Sequence, residues 1–191
     1  MNTIEIENQR YGRNKDTLVN STYINSGEYR RKFDSVTDNK DVSRSLYSKA
    51  KEMLEHRSGT LIEDMYWIDG ESGTVVTSAL NEQQERNIIY TDEILKAIAH
   101  RGNLITLHTH PSSMPPSISD FNSACEHNYS FGLVICHDGT VYAYSSRQFV
   151  PGKLHEIYVD DFIQMGYTEK EAQLKALNEI KRNYDIDFWE V

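Results

Sequence analysis

The sequence predicts an α+β, or mixed α/β, fold in which one sheet is flanked by helices. Three observations predict it. Alternating or continuous apolar runs of strand length recur in TLIEDMYWID, GTVVTSA, NLITLHTH, FGLVICH and TVYAYSS. Helically spaced apolar positions lie before, between and after them. Glycine turns, DGESG and HDG, join neighbouring runs as hairpins. The resulting order is helix, strands, helix, strand, helix, strands, helices, which suits helices packed on a sheet.

Taken in chain order, residues 1–42 form a polar N-terminal arm with scattered Tyr and few periodic apolar positions, with a short helix around SGEYRRKF. Asp41 or Ser43 is placed to cap a helix through RSLYSKAKEMLEH, where Leu46, Ala50, Met53 and Leu54 fall on one face and Gly59 ends the element. TLIEDMYWID and GTVVTSA then read as a hairpin, and NEQQERNIIY as an ambiguous segment that can hold a third strand. Thr91 caps TDEILKAIAHRG, with Asp92 and Glu93 in the first turn and Gly102 after the last. NLITLHTH runs into a proline loop, PSSMPP, and a helix begins near Ser117 to Ser119. The hairpin around His137-Asp138-Gly139 follows. Two helical segments, LHEIYVDDFIQM and EKEAQLKALNEIKRNY, close the chain around a hinge at Gly166. The domain reading is therefore an arm (1–42), a central domain (43–150) and a C-terminal helical extension (151–191).

Composition narrows the function classes. The chain has 191 residues, 38% hydrophobic and 26% charged, enough for one domain with appendages. Its 12 Tyr imply an aromatic core with polar tips. A net charge of −9 argues against general nucleic-acid binding, which needs a basic face; Arg30-Arg31-Lys32 is a short solvated run. The two cysteines, Cys125 and Cys136, form no CxxC pair, and Cys136 in FGLVICH reads as a buried small hydrophobe. MNTIEIENQRYGRNK has no apolar run, so the expectation is a cytoplasmic protein with no secretion signal and no membrane partner.

The chemistry concentrates in LHTHPSSMPPSISD. Strand alternation points His108 and His110 to one face, about 7 Å apart along the backbone at ~3.3 Å per residue, close enough to converge on one ion. The proline loop returns the chain, so Asp120, in the first turn of the next helix, can supply a third ligand. Two imidazoles and a carboxylate suit Zn2+ and leave a fourth position for water, the pattern of a catalytic site. Such a water needs a proton acceptor, and Glu63, at the start of TLIEDMYWID, is the candidate if that strand neighbours NLITLHTH. A partly buried position would raise its pKa toward the working range. Asp64 would face the other way, and Glu71 sits in a solvated turn. Ser117 can cap the helix or point its hydroxyl at an oxyanion; spacing alone does not separate the two. His127 follows Asp120 on one helix face but reads as a surface residue. His56, His100, His137 and His155 have no partner pattern and read as surface or packing residues.

Glu63, His108-Thr109-His110-Pro111 and Ser117-Ile118-Ser119-Asp120 together resemble the JAMM (MPN/JAB) zinc metallopeptidases, over roughly residues 43–146. The resemblance implies an MPN/JAB-like sheet flanked by helices with cytidine-deaminase-like layering. It implies zinc on His108, His110 and Asp120, Glu63 as general acid/base, Ser117 as transition-state stabiliser, and hydrolysis of a peptide or isopeptide carbonyl. The chain departs from the usual pattern by one residue fewer between His110 and Asp120. YINSGEYRRKFD and HRSGTLIEDMYWID also resemble JAB-domain proteins of Gram-positive bacteria and their prophages. The expected partners are a protein or peptide substrate, ubiquitin-like proteins among them, with self-association common in such domains. A non-catalytic MPN-fold scaffold or assembly module is the alternative, and a RadC-like protein the second. FIQMGYTEKEAQLKAL is similar to the Met-Gly-aromatic loop of ubiquitin-associated domains, but it supplies two helices where those need three. It reads as a helical brace.

Overall fold

In the computed structural model, residues 17–85 and 87–191 are described. Helices α1 (Ser21–Ile24), α2 (Gly27–Asp34) and α3 (Lys40–Arg57) precede the hairpin β1 (Met65–Asp69) and β2 (Val75–Ala79). Then come α4 (Asp92–Ile98), β3 (Leu104–His110), α5 (Ile118–Glu126), β4 (Phe131–Cys136) and β5 (Val141–Ser146). Helices α6 (Gly152–Gln164) and α7 (Glu169–Lys181) and strand β6 (Ile186–Glu190) end the chain. The strands form one mixed sheet in the order β2-β1-β3-β4-β5-β6. The fold is mixed α/β, as the patterning predicts.

Only β3 and β4 pair in parallel; the other neighbours are antiparallel. Parallel neighbours cannot be joined by a tight turn, so the chain leaves β3, rounds the proline loop and returns through α5. Both ends of that crossover carry candidate ligands: His110 closes β3 and Asp120 sits in the first turn of α5.

Alternation along the central strands separates two cores. On one face Tyr66, Ile68, Ile105, Leu107, Leu133 and Ile135 pack with Val42, Leu46, Ala50, Met53 and Leu54 of α3. On the other, Met65, Trp67, Leu104, Val134, Tyr142 and Tyr144 pack with residues of α4, α5 and α7. His108 and His110 belong to this second face, because they share the parity of Leu104 along β3. Each large apolar side chain buried there stabilises by about 1.5–3 kcal/mol.

The structure departs from the sequence reading in several places. Residues 17–42 do more than decorate the surface: Ile24, Tyr29 and Phe33 are buried in the first core, with Tyr29 and Phe33 edge-on at 5.4 Å. Short capped helices carry these residues, so no long period advertises them; residues 1–16 of the expected arm lie outside the described residues. Asn39, rather than Asp41 or Ser43, caps α3, accepting from the Asp41 and Val42 amides. Helix α4 stops one turn before Gly102, and His100 (φ 59) and Asn103 (φ 55) take the left-handed positions of the connection. The 81–90 segment holds no strand among the described residues, only an isolated bridge between Ile62 and Glu85. The end of the chain, expected to be helical, is β6. IDFWE is a short edge strand with Ile186 buried and Trp189 exposed, so its alternation covers too few residues to outvote the preceding helix. Among the described residues no helix is long and apolar enough to cross a membrane.

Candidate metal centre

His108 and His110 come from a strand whose residues are all buried, paired on both sides. Their exposures are 3% and 9%, so neither ring is solvated enough to be a surface histidine. The His108 and His110 Nε2 atoms lie 3.1 Å apart. Asp120 Oδ1 is 3.2 Å from His108 Nε2, and Asp120 Oδ2 is 3.5 Å from His110 Nε2. Ligand atoms about 2.0–2.2 Å from one tetrahedral ion stand roughly 3.3–3.6 Å apart; here one ligand atom from each of the three side chains lies within 4.8 Å of the others, near those separations. The group His108, His110 and Asp120 can therefore hold a metal ion.

The surroundings fix how these groups present themselves. His110 Nδ1 is 3.0 Å from the Met114 carbonyl. A carbonyl only accepts, so the Nδ1 proton is donated there and Nε2 keeps its lone pair for the site. The proline loop, with Ser113 at φ 58, carries that carbonyl. Asp120 is oriented by a capping box: the Ser117 amide donates to Asp120 Oδ2 at 2.6 Å, and the Asp120 amide donates to Ser117 Oγ at 3.2 Å. His108 Nδ1 is buried with no hydrogen-bond partner among the described residues.

Electrostatics follows from this packing. Burial disfavours charge on His108, but the adjacent Asp120 and nearby Glu63 outweigh it and raise its pKa above the ordinary 6.5. Burial, reinforced by the charge on His108, drops His110 to about 4. For Asp120, burial opposes ionisation, yet the two imidazoles and the Ser117 amide pull its pKa well below the carboxylate range. These shifts favour an ionised Asp120 beside His108, the imidazole of the two that takes a proton more readily, and a metal ion competes with that proton.

Tyr144 backs the cluster, its ring edge-on to His108 at 6.0 Å and to Phe121 of α5 at 5.5 Å. That placement depends on Gly132, opposite Tyr144 on β4: a Cβ there would sit 2.1 Å from the Tyr144 ring.

The cluster opens into a cleft of about 560 Å³. Glu63 lies on its wall, partly buried, just before β1 rather than within it. Met65, two residues on, pairs in register with His108, which carries Glu63 to the His108 end of the site. Asp64 faces the other way, as alternation requires, and meets α3. Ser117 lines the cleft as well as capping α5.

Compared with protein-family models, with curated proteins and with solved structures, the chain matches none.

Other histidines fall outside the cluster. His127 ends α5 and stacks on Tyr90 at 5.2 Å. His137, read as unpartnered, is buried and donates from Nδ1 to the Thr17 carbonyl at 2.7 Å. His56 pairs with Asp64 at 2.6 Å. Sequence reasoning missed three cleft-lining contributors: Tyr90, Tyr144 and, from the C-terminal helix, Glu169. Tyr144 carried a signal, since Tyr142 and Tyr144 alternate onto one face. Tyr90 and Glu169 carried none, because loop and helix placement brings them to the site.

Proposed function

We propose that the protein is a zinc-dependent hydrolase of peptide or isopeptide bonds, working in the manner of the JAMM peptidases it resembles. The observation that carries this reading is the convergence of two imidazoles and a carboxylate, with one ligand atom from each within 4.8 Å of the others, in a cleft that also presents Glu63. Three protein ligands of this kind suit zinc and leave room for a reacting group. Zinc, when bound, supplies Lewis acidity toward a carbonyl and lowers the pKa of water into the neutral range.

The chain's own residues supply the rest. His110 is held in the ligating tautomer by Met114, and Asp120 in the ligating orientation by Ser117. Glu63 accepts a proton from the attacking water and returns it to the leaving nitrogen. Ser117 receives the Asp120 amide with a lone pair and keeps its hydroxyl proton, so capping leaves it able to donate to a developing oxyanion. The capping engagement also gives the scaffold alternative its one specific support, since Ser117 has a complete structural role without catalysis.

The test is digestion of a proteome-derived peptide library, with new termini read by mass spectrometry. Expected are cleavages that vanish on chelation, return with zinc, and are absent from Glu63→Gln protein that still holds zinc. Zinc-loaded wild type that cuts neither this library nor isopeptide-linked lysine peptides would favour the scaffold.

A further inference from the structure

A buried hydrogen-bond relay that the ligand cluster does not use ends on the cleft wall. Trp67 Nε1 donates to the Tyr129 hydroxyl at 2.8 Å, and the Tyr129 hydroxyl donates to that of Tyr90 at 3.3 Å. An indole N–H can only donate, so it occupies one acceptor position on the Tyr129 hydroxyl, whose own proton is then directed at Tyr90. Among the described residues the Tyr90 proton is directed at the Met65 sulfur at 3.9 Å, a weak acceptor. Chained hydroxyls polarise one another, so the relay enhances the donor strength of its last member. That last member lies on the cleft wall, and Met65 beside it is the register partner of His108.

The Tyr90 ring is held for such a role. It stands edge-on to Trp67 at 5.3 Å and 87°, and lies flat on His127 at 5.2 Å and 12°. Burial, then the neighbouring Tyr129, drives the phenol pKa well above its ordinary 10, which keeps the donor protonated.

We propose that Tyr90 is a substrate-binding residue whose phenol O–H donates to an oxygen acceptor, a backbone carbonyl or carboxylate, of a peptide lying in the cleft. This rests on the peptidase reading of the site. Tyr129 is a positioning residue that acts through Tyr90, and Trp67 anchors the relay. A purely packing role for Tyr90 would need the ring and not the hydroxyl, so removal of the oxygen alone separates the two.

The experiment is calorimetric titration of zinc-loaded protein with N-acetyl-glycyl-glycine hydroxamate, which anchors at zinc and offers backbone carbonyls but no side chains. Tyr90→Phe is expected to bind zinc at the wild-type stoichiometry and the hydroxamate about tenfold more weakly, the loss of one hydrogen bond. Tyr129→Phe, which leaves the cleft wall untouched, is expected to weaken binding by a smaller factor of about two to three, and decides the matter should Tyr90→Phe fail to fold. Hydroxamate affinity unchanged in Tyr90→Phe, or absent in zinc-loaded wild type, would overturn the role of Tyr90 while leaving the metal site standing. Wild-type protein that takes up no zinc would instead remove the reading beneath it.

Discussion

Two carboxylates, Asp64 and Asp120, each meet histidine, and they sit toward opposite faces of the same sheet. Asp64, wholly buried, receives Arg57 Nε at 2.6 Å and His56 Nδ1 at 2.6 Å, and its amide donates to Thr109 Oγ1. The Arg57 guanidinium goes on to donate to the Leu80 carbonyl at 2.7 Å. A guanidinium is always charged, so Asp64 has a permanent counter-charge at 2.6 Å. Asp120 faces two imidazoles and the cleft, with no Arg or Lys among its described ion pairs. The ionisable groups that face it are the two imidazoles, whose protons are exchangeable. The contrast teaches which buried carboxylate is structural: the one with a permanent counter-charge holds the fold, and the one with an exchangeable counter-charge can hold a metal.

Substitutions can break this comparison. The largest expected effect is Glu63→Gln, which should lower any zinc-dependent hydrolysis by about a hundredfold or more while retaining the metal, because a general base contributes on that scale; turnover and elemental analysis of the same sample check it. Next is Arg57→Met, which strands the buried Asp64 charge and should cost about 3 kcal/mol in denaturant unfolding while leaving zinc stoichiometry intact. A variant that lost zinc with little stability change would invert the roles assigned to the two groups.

The exchangeable proton itself can be titrated. His108 holds its proton above the ordinary 6.5, so below that raised pKa a metal must displace it, and apparent zinc affinity should fall about tenfold per pH unit. Below about 4, His110 adds a second proton and the slope should double. Affinity measured by chelator competition should therefore weaken as pH falls, never as it rises through this range. A smaller effect is expected for Gly132→Ala, which drives a Cβ into Tyr144 and should destabilise by about 1–3 kcal/mol.

Much of the site was legible because strand alternation and a short loop are local rules. Alternation put His108 and His110 on one face, Asp64 opposite Glu63, and the capped turn placed Asp120 at the start of α5. Helix capping was legible in kind but not always in position: Thr91 caps as its sequence indicates, Ser117 caps α5 where its spacing left cap and oxyanion donor open, and Asn39 lies a residue or more ahead of the apolar pattern that suggested Asp41 or Ser43. What stayed hidden depends on contacts distant in sequence. The β6 strand is stabilised by pairing with β5 and not by its own short pattern. The Trp67–Tyr129–Tyr90 relay spans 62 residues at its first bond and 39 at its second, so no local spacing encodes it. The fold of Ile24, Tyr29 and Phe33 into the α3 core likewise arises from helix packing, which composition described only as polar sequence with scattered Tyr.

The central claim is that the Asp120 group, unlike the Asp64 group, is a metal centre. Elemental analysis of purified wild-type protein beside His108→Ala, Asp120→Ala and Arg57→Met tests it most directly. The account predicts about one zinc per chain in wild type and Arg57→Met, and none in the other two. Folded wild type that neither carries zinc nor takes it up on reconstitution would contradict it.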